Sequence, residues 1–306
     1  MRNPLIGQPI AEYLGGRDNH FNLIRLVAAL AVLVSHSFAI VTGNVEIEPL
    51  RESTGASLGF YSVGIFFGIS GLLIARSFDR RKSIWHFSVS RVLRLWPALV
   101  LVLLLSMLVL GPIMTSRTVE EYFADPLAWI YVPSNLSLAF RSDALPGVFI
   151  DNPLGFAING SLWTLFYEVV CYGGVVATGL IGLLSMPRLF AVFLALVFAG
   201  HFASVLYEPS GGLLHRLDLL GQLGLPFAIG MAAYGGRDHF RHGPAVALIL
   251  WIMAAVLVQT PFLPPAIMVA LVYTVLWLAL VPKGPLLKFN RVGDYSYGIY
   301  IYAFPI

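Results

Sequence analysis

Charged side chains are scarce in this chain. Its 306 residues include 19 lysines and arginines and 16 aspartates and glutamates, 11% in all. Soluble proteins carry about 25% charged residues, so too few are present here to cover a hydrated surface. Cysteine occurs once, at Cys171, which excludes an intramolecular disulfide and leaves the redox compartment undetermined. A Gly/Ser linker, a low-complexity tract and a convincing internal repeat are also absent, so residues 1–306 read as a single domain. No pair of histidines has metal-ligand spacing on one helix face, and no metal site is expected. The basic residues sit in short loops between apolar blocks, which gives no reason to expect a nucleic-acid partner.

Apolar residues dominate instead, at 58% of the chain and with a mean hydropathy of +0.81. They come in blocks of roughly 17–25 residues, the length needed to cross about 30 Å of hydrocarbon. The first, Leu23 to Val41, has no small-residue cleavage site and reads as a retained helix rather than a signal peptide. Others cover roughly 59–75, 94–112, 161–184, 189–207, 216–234, 244–260 and 264–281. A last one begins near Asp294 and meets the chain end at Ile306. The expectation is an all-α integral membrane protein, a bundle of about nine transmembrane helices in a lipid bilayer.

Loop charges give an orientation, because short cytoplasmic loops are rich in lysine and arginine. Arg76, Arg80, Arg81 and Lys82, with Arg91 and Arg94 after them, form the strongest basic cluster. Arg237 and Arg241, then Lys283, Lys288 and Arg291, mark two further cytoplasmic loops, so the N-terminus is expected in the cytoplasm. The loop carrying Glu46, Glu48 and Glu52 should face outward. Parity then requires residues 113–160 to make no net crossing. That stretch holds Pro126, Pro133, Pro146 and Pro153 among several charges, and reads as an irregular outward-facing excursion.

Ionisable groups at membrane depth are costly and usually functional. His36 lies within the first block and Glu168 within the block at 161–184. At about 1.5 Å per residue both fall roughly 8–10 Å from the outer boundary, so the two could meet in one layer. An imidazole held by a carboxylate keeps a defined tautomer and can act as general base on a hydroxyl. Arg91 and Arg94, three residues apart, share a helix face. The bland readings are a helix-packing histidine, a buried polar contact at Glu168 and interfacial anchors at the arginines. The glycines of Val63 to Gly71 lack the Lys-Ser/Thr ending of a phosphate loop and read instead as permitting close helix packing.

Five motifs converge on one family. Asn22-Leu23-Ile24-Arg25 with His36 resembles the first helix, F-D-x-L-R…H, of the acyltransferase-3 family. Phe66-Phe67-Gly68-Ile69-Ser70-Gly71 is similar to its F-F-x-x-S-G helix, and Arg91-Val92-Leu93-Arg94-Leu95-Trp96-Pro97 to its R-x-x-R-L-x-P segment. Leu162-Trp163-Thr164-Leu165 with Glu168 matches L-W-[ST]-L-x-x-E, and Tyr295-Ser296-Tyr297-Gly298-Ile299-Tyr300 resembles the S-Y-x-x-Y ending. The resemblance runs in order from Asn22 to Pro305. It departs at Asn22, where the family often has Asp, and at Ala303, where it usually has His, so no role carries over to that position.

The resemblance implies about ten helices, a full spanning set for the family, and hence a final helix beyond Ile306. It also implies transfer of an acyl group, most commonly acetyl from acetyl-CoA, to a hydroxyl of a cell-envelope or exported carbohydrate or glycolipid. Acetyl-CoA would be a co-substrate, with no tightly bound cofactor. His36 would be the base or a transient acyl carrier, with Glu168 orienting it. Arg91 and Arg94, joined by Arg25, would hold the CoA phosphates, for which guanidinium is suited; Arg17 reads better as a flank of the first helix. The location implied is the bacterial inner membrane. Two other readings stand beside this one. A proton-coupled or small-molecule transporter would use His36 and Glu168 as a proton relay, and a non-catalytic scaffold would tolerate loss of His36.

Overall fold

Local chemistry sets the helix boundaries in the computed structural model, which describes residues 5–16, 18–155, 157–183, 186–207, 211–281, 284–291, 293–302 and 304. Arg17, Lys283, Ala303 and Pro305 lie outside the described residues. Helix α1 spans Phe21–Thr42 and stops at Gly43, whose left-handed backbone (φ 71°) returns its amide to the Ala39 carbonyl. After a short α2 (Arg51–Thr54), Ser57 caps α3 (Leu58–Arg81) by accepting from the Phe60 amide at 3.2 Å. Ser83 caps α4 (Ile84–Leu105), which continues through a π-helical stretch, Ser106–Leu110, into α5 (Gly111–Met114). Then come α6 (Val119–Ala124), α7 (Pro126–Leu136), α8 (Trp163–Leu180), α9 (Pro187–Tyr207), α10 (Gly212–Gly235), α11 (Pro244–Val256), α12 (Leu263–Leu280) and α13 (Ser296–Tyr302). The described β-structure is small. A two-residue pair, β1 (Gln8–Pro9) with β2 (Arg241–His242), ties the N-terminal segment to the loop after α10.

Helix α3 is the hub. It packs against α1, α8, α10 and α12, and two-thirds of its most apolar stretch is buried. Its closest neighbour is α10, where backbone meets backbone. A Cβ on Gly71 would stand 2.0 Å from the Phe227 carbonyl oxygen, and one on Gly230 would stand 2.0 Å from that of Gly68. The glycine-rich run of α3 is therefore a packing surface. Gly230→Ala is expected to force the two helices apart at about 1–3 kcal/mol, read as a lower thermal midpoint of the detergent-solubilised protein. Gly173→Ala, whose added Cβ meets nothing within 4 Å, serves as the unaffected control.

Seven of the described helices are long and apolar enough to cross a membrane, namely α1, α3, the continuous α4–α5, α8 with its preceding turn, α9, α10 and α12. Three expected boundaries move. The second block runs on to Arg81 instead of ending near residue 75, which takes Arg76, Arg80 and Arg81 into α3. The third block starts at Ile84 rather than near residue 94, because the Ser83 cap starts the helix among polar residues that hydropathy alone rejects. This places Arg91 and Arg94 within the helix body instead of at its start. The block at 244–260 forms a helix of 13 residues only, roughly 20 Å long. Its chain then turns through Gln259 at φ 68° ahead of Pro261.

Two sets of contacts define the ends of the bundle. At one end the His20 amide donates to the Ala279 carbonyl at 2.9 Å, and the Tyr234 hydroxyl donates to Asp79 at 2.7 Å. At the other, the Gly59 amide donates to Ser35 Oγ at 2.9 Å, and Ser116 is hydrogen-bonded to the Gly147 carbonyl. Residues 113–160 leave and re-enter at this second end. They are more ordered than the sequence suggests: a capping box of Thr118 and Glu121 starts α6 and Pro126 starts α7. The Tyr122 hydroxyl donates to the Met107 carbonyl at 2.8 Å, so the excursion is pinned to the π-helical turn, whose widened hydrogen-bond ladder leaves carbonyls to accept.

Candidate active site

Three arginines gather near the first end of the bundle. Arg25, on the second turn of α1, is 6% exposed. Its Nη1 donates to Asp294 Oδ2 at 3.1 Å, and Arg94 Nη2 from α4 donates to the same oxygen at 3.2 Å. The other Asp294 oxygen accepts from the Ser296 amide at 3.2 Å and hydroxyl at 2.5 Å. One carboxylate thus starts α13 and clamps α1 to α4. Burial pushes the Asp294 carboxyl up, but the Arg25 charge, the Ser296 hydrogen bonds and the Arg94 charge outweigh it and hold the group below its ordinary value. Arg91 stacks over Phe87 at 5.7 Å and Tyr172 at 5.9 Å, and the Tyr172 hydroxyl donates to Glu168.

The cluster sets three guanidiniums against two carboxylates in apolar surroundings. Arg25, Arg94, Glu168, Ser70, Ser296 and Tyr297 all line one narrow cavity of ≈ 40 Å³, room for a few waters at about 10–15 Å³ each. The Arg94 side chain is 37% exposed and remains able to meet an anionic group from outside.

His36 lies in a different place. It lines a wider groove of ≈ 700 Å³ between α1 and α13, walled by Leu33, Ile40, Ile299 and Phe304. Its ring meets that of Phe304 edge-on at 5.7 Å. The carboxylate against it is Glu48, with Oε1 3.9 Å from His36 Nδ1. Glu48 is only 8% exposed, and its second oxygen accepts from the Ser35 hydroxyl. Burial pushes the Glu48 carboxyl up, but His36, Ser35 and Ser57 hold it below its ordinary value. The loop after Gly43 thus folds a carboxylate back onto the helix it has just left.

The expected pairing of His36 with Glu168 is corrected by this geometry. Depth leaves the facing direction open, and α8 turns Glu168 toward the arginines. Sequence patterns mark neither Glu48 nor Asp294 as a site residue. Glu48 sits in a loop and read only as a charge marking orientation. Asp294 carried a legible signal, since it stands two residues before Ser296 at a helix start. Tyr300 links the two regions and lines both cavities. Its hydroxyl donates to the Ser161 carbonyl at 3.0 Å and is hydrogen-bonded to Thr164 Oγ1 at 2.7 Å. Along α1, Arg25 and His36 are separated by roughly 16 Å.

Comparison with known proteins agrees with the motifs. The profile of the family described as an acyltransferase domain matches residues 18–306. The chain is similar to an O-acetyl transferase of Shigella phage Sf6, 32% identical over 307 residues, covering 95% of this chain and 85% of the relative. It is also similar to Nodulation protein 10 of Rhizobium leguminosarum bv. viciae, 35% identical over 172 residues, covering 54% of this chain and 45% of that one. No solved structure matches the chain. With the family profile spanning nearly every residue and a bundle of apolar helices beneath it, the chain belongs to the acyltransferase-3 family of membrane acyltransferases.

Proposed function

We propose that this protein is an O-acetyltransferase that takes acetyl from cytoplasmic acetyl-CoA and esterifies a hydroxyl of a cell-envelope or exported carbohydrate. The observation that carries this reading is the division of labour along α1. Cationic side chains in excess of carboxylates stand at one end of the bundle, and a carboxylate-supported imidazole stands near the other. Arg94, Arg91 and Arg25 would meet the phosphates of CoA, with Glu168 and Tyr172 setting the position of Arg91. The pantetheine arm would bring the thioester past Tyr300 toward His36.

His36 then removes the proton of the acceptor hydroxyl as its oxygen attacks the thioester carbon. The C–S bond breaks, and CoA leaves as a thiolate that takes up the proton. Glu48 holds the ring and stabilises the imidazolium formed in between. In this reading the arginine end and the N-terminus face the cytoplasm of a bacterial inner membrane. The crossings number nine: α11 with residues 257–262 forms one, and α13 begins the last. Pro264, at the start of α12, lies beside Gly55 at the opposite end of the bundle from β2, which supports α11 as a crossing despite its length.

Inside-out membrane vesicles test the reading. Given labelled acetyl-CoA on their exposed cytoplasmic face, they are expected to accumulate alkali-labile label on lumenal glycan. No labelled glycan from wild-type vesicles that contain acceptor would sink the enzyme reading. Label formed only from right-side-out vesicles would sink the orientation.

A further inference from the structure

A second concavity opens at the His36 end, on the other side of the N-terminal turn of α8. It measures ≈ 460 Å³ and is lined by aromatic rings from α8, by the loop at 138–143 and by the first turns of α10. Trp163 and Tyr167 form its floor, their rings perpendicular (78°) with centroids 5.7 Å apart. Phe140, 77% exposed, stands at the rim. Arg141 and Asp143 make a two-point ion pair at 2.5 and 2.9 Å, and Arg216 faces them from α10.

We infer that this cavity is the acceptor subsite, where rings of the carbohydrate chain lie while one of their hydroxyls is presented to His36. This rests on the function proposed above. A pyranose offers a face of C–H bonds and a rim of hydroxyls. The first needs a flat apolar surface, which Trp163 and Tyr167 supply. The second needs donors and acceptors side by side, which the Arg141–Asp143 pair provides in the guanidinium N–H groups not turned to the carboxylate and in the outer Asp143 oxygen. The volume falls within the roughly 300–1,000 Å³ of ligand sites. Aromatic rings that merely anchor a protein in the membrane interface stand on lipid-facing surfaces; here they form the floor of a concavity walled by charged side chains.

Position supports the same assignment. Ser161 lines the His36 groove and Trp163, two residues on, lines this cavity, on a turn that rises roughly 2 Å per residue. Gly160 carries no side chain where Phe304, the ring beside His36, packs against it. A chain of sugar rings seated on Trp163 needs to pass only this turn to reach the imidazole. With Arg141 neutralised by Asp143, Arg216 is left to meet an acidic substituent.

The test uses the full chain in proteoliposomes, with labelled acetyl-CoA and a titrated envelope-glycan fraction as acceptor. Trp163→Ala and Arg216→Ala are each expected to raise the acceptor KM about tenfold while leaving the KM for acetyl-CoA unchanged; Trp163→Phe, which keeps a ring, should fall between. Arg216 is exposed, so its truncation tests the site even where Trp163→Ala fails to fold. An unchanged acceptor KM in Arg216→Ala and in a folded Trp163 variant overturns the inference. So do donor and acceptor constants that move together, and effects that follow anionic lipid content instead of glycan. Should wild type transfer nothing, the function proposed above fails by itself, and binding of fluorescein-labelled oligosaccharides from the same fraction decides this site. Binding by wild type that Arg216→Ala weakens supports a glycan subsite, whereas no binding, or equal binding, overturns it.

Discussion

Glu48→Gln is expected to lower acetyl transfer about 30-fold, without weakening acetyl-CoA binding. Unit charges about 4 Å apart attract by about 4 kcal/mol at an effective dielectric near 20. Glu48 Oε1 lies 3.9 Å from the His36 ring, and in the proposed mechanism the ring gains charge as it takes up the acceptor's proton. The attraction therefore lowers the barrier and not the ground state. His36 is 29% exposed, and solvent screens part of that energy, which leaves about half, roughly 2 kcal/mol or about 30-fold at 1.4 kcal/mol per decade. His36→Ala removes the base itself and should cost about 10²–10⁴-fold. The double variant decides between the two candidate carboxylates. Adding Glu48→Gln to His36→Ala should cost nothing further, because the pair acts as a unit. Adding Glu168→Gln should cost its full single effect, because that side chain serves the arginine cavity. Initial rates with labelled acetyl-CoA, measured on wild type and the five variants, check this. Full additivity of Glu48 with His36 would remove Glu48 from the mechanism.

Asp294→Ala should be the most destabilising single change near the site. Truncation leaves Arg25, 6% exposed, without the carboxylate that compensates its charge, and breaking such a pair costs about 3–5 kcal/mol. The lower end is appropriate, since Asp294 is itself 23% exposed. The start of α13 loses its cap in the same step. The expected result is a lower thermal midpoint by tryptophan fluorescence in detergent, together with a raised KM for acetyl-CoA as Arg94 loses its anchor. A pH series separates charge from packing. The folded-state carboxyl lies below its ordinary value, so its contribution is fully present above about pH 4. That contribution is lost as pH falls toward the folded value. Asp294→Asn should flatten this acid limb and keep much of the cap. An acid limb as steep as in wild type would mean that another carboxylate governs it.

Much of the architecture was legible because the membrane makes a blunt demand. A span must be about 20 residues long and apolar throughout, and α1, α8, α9, α10 and α12 fall close to their expected ranges. Boundaries failed where polar residues start a helix, as Ser83 does for α4, or where a turn interrupts an apolar run, as Gln259 does after α11. The arginine pair was legible from its spacing, because three residues place two side chains on one helix face whatever surrounds them. The motifs named the family for a similar reason, since each is a local pattern.

The partner of His36 was not a local matter. Rise per residue places His36 and Glu168 at a depth, but the direction each faces depends on how its helix is rotated against its neighbours. Packing of α1 on α3 and α13, and of α8 on α3 and α10, sets that rotation. It sends Glu168 to the arginines and leaves His36 to a loop carboxylate that composition marked only as negative charge. Composition, block length and local motifs suffice for a membrane bundle, its family and the presence of a basic pair and an imidazole at different depths. Only the tertiary structure decided that Glu48 supports His36 and that Asp294 joins Arg25 to Arg94, because such contacts join residues through rotations and loop returns that no spacing records.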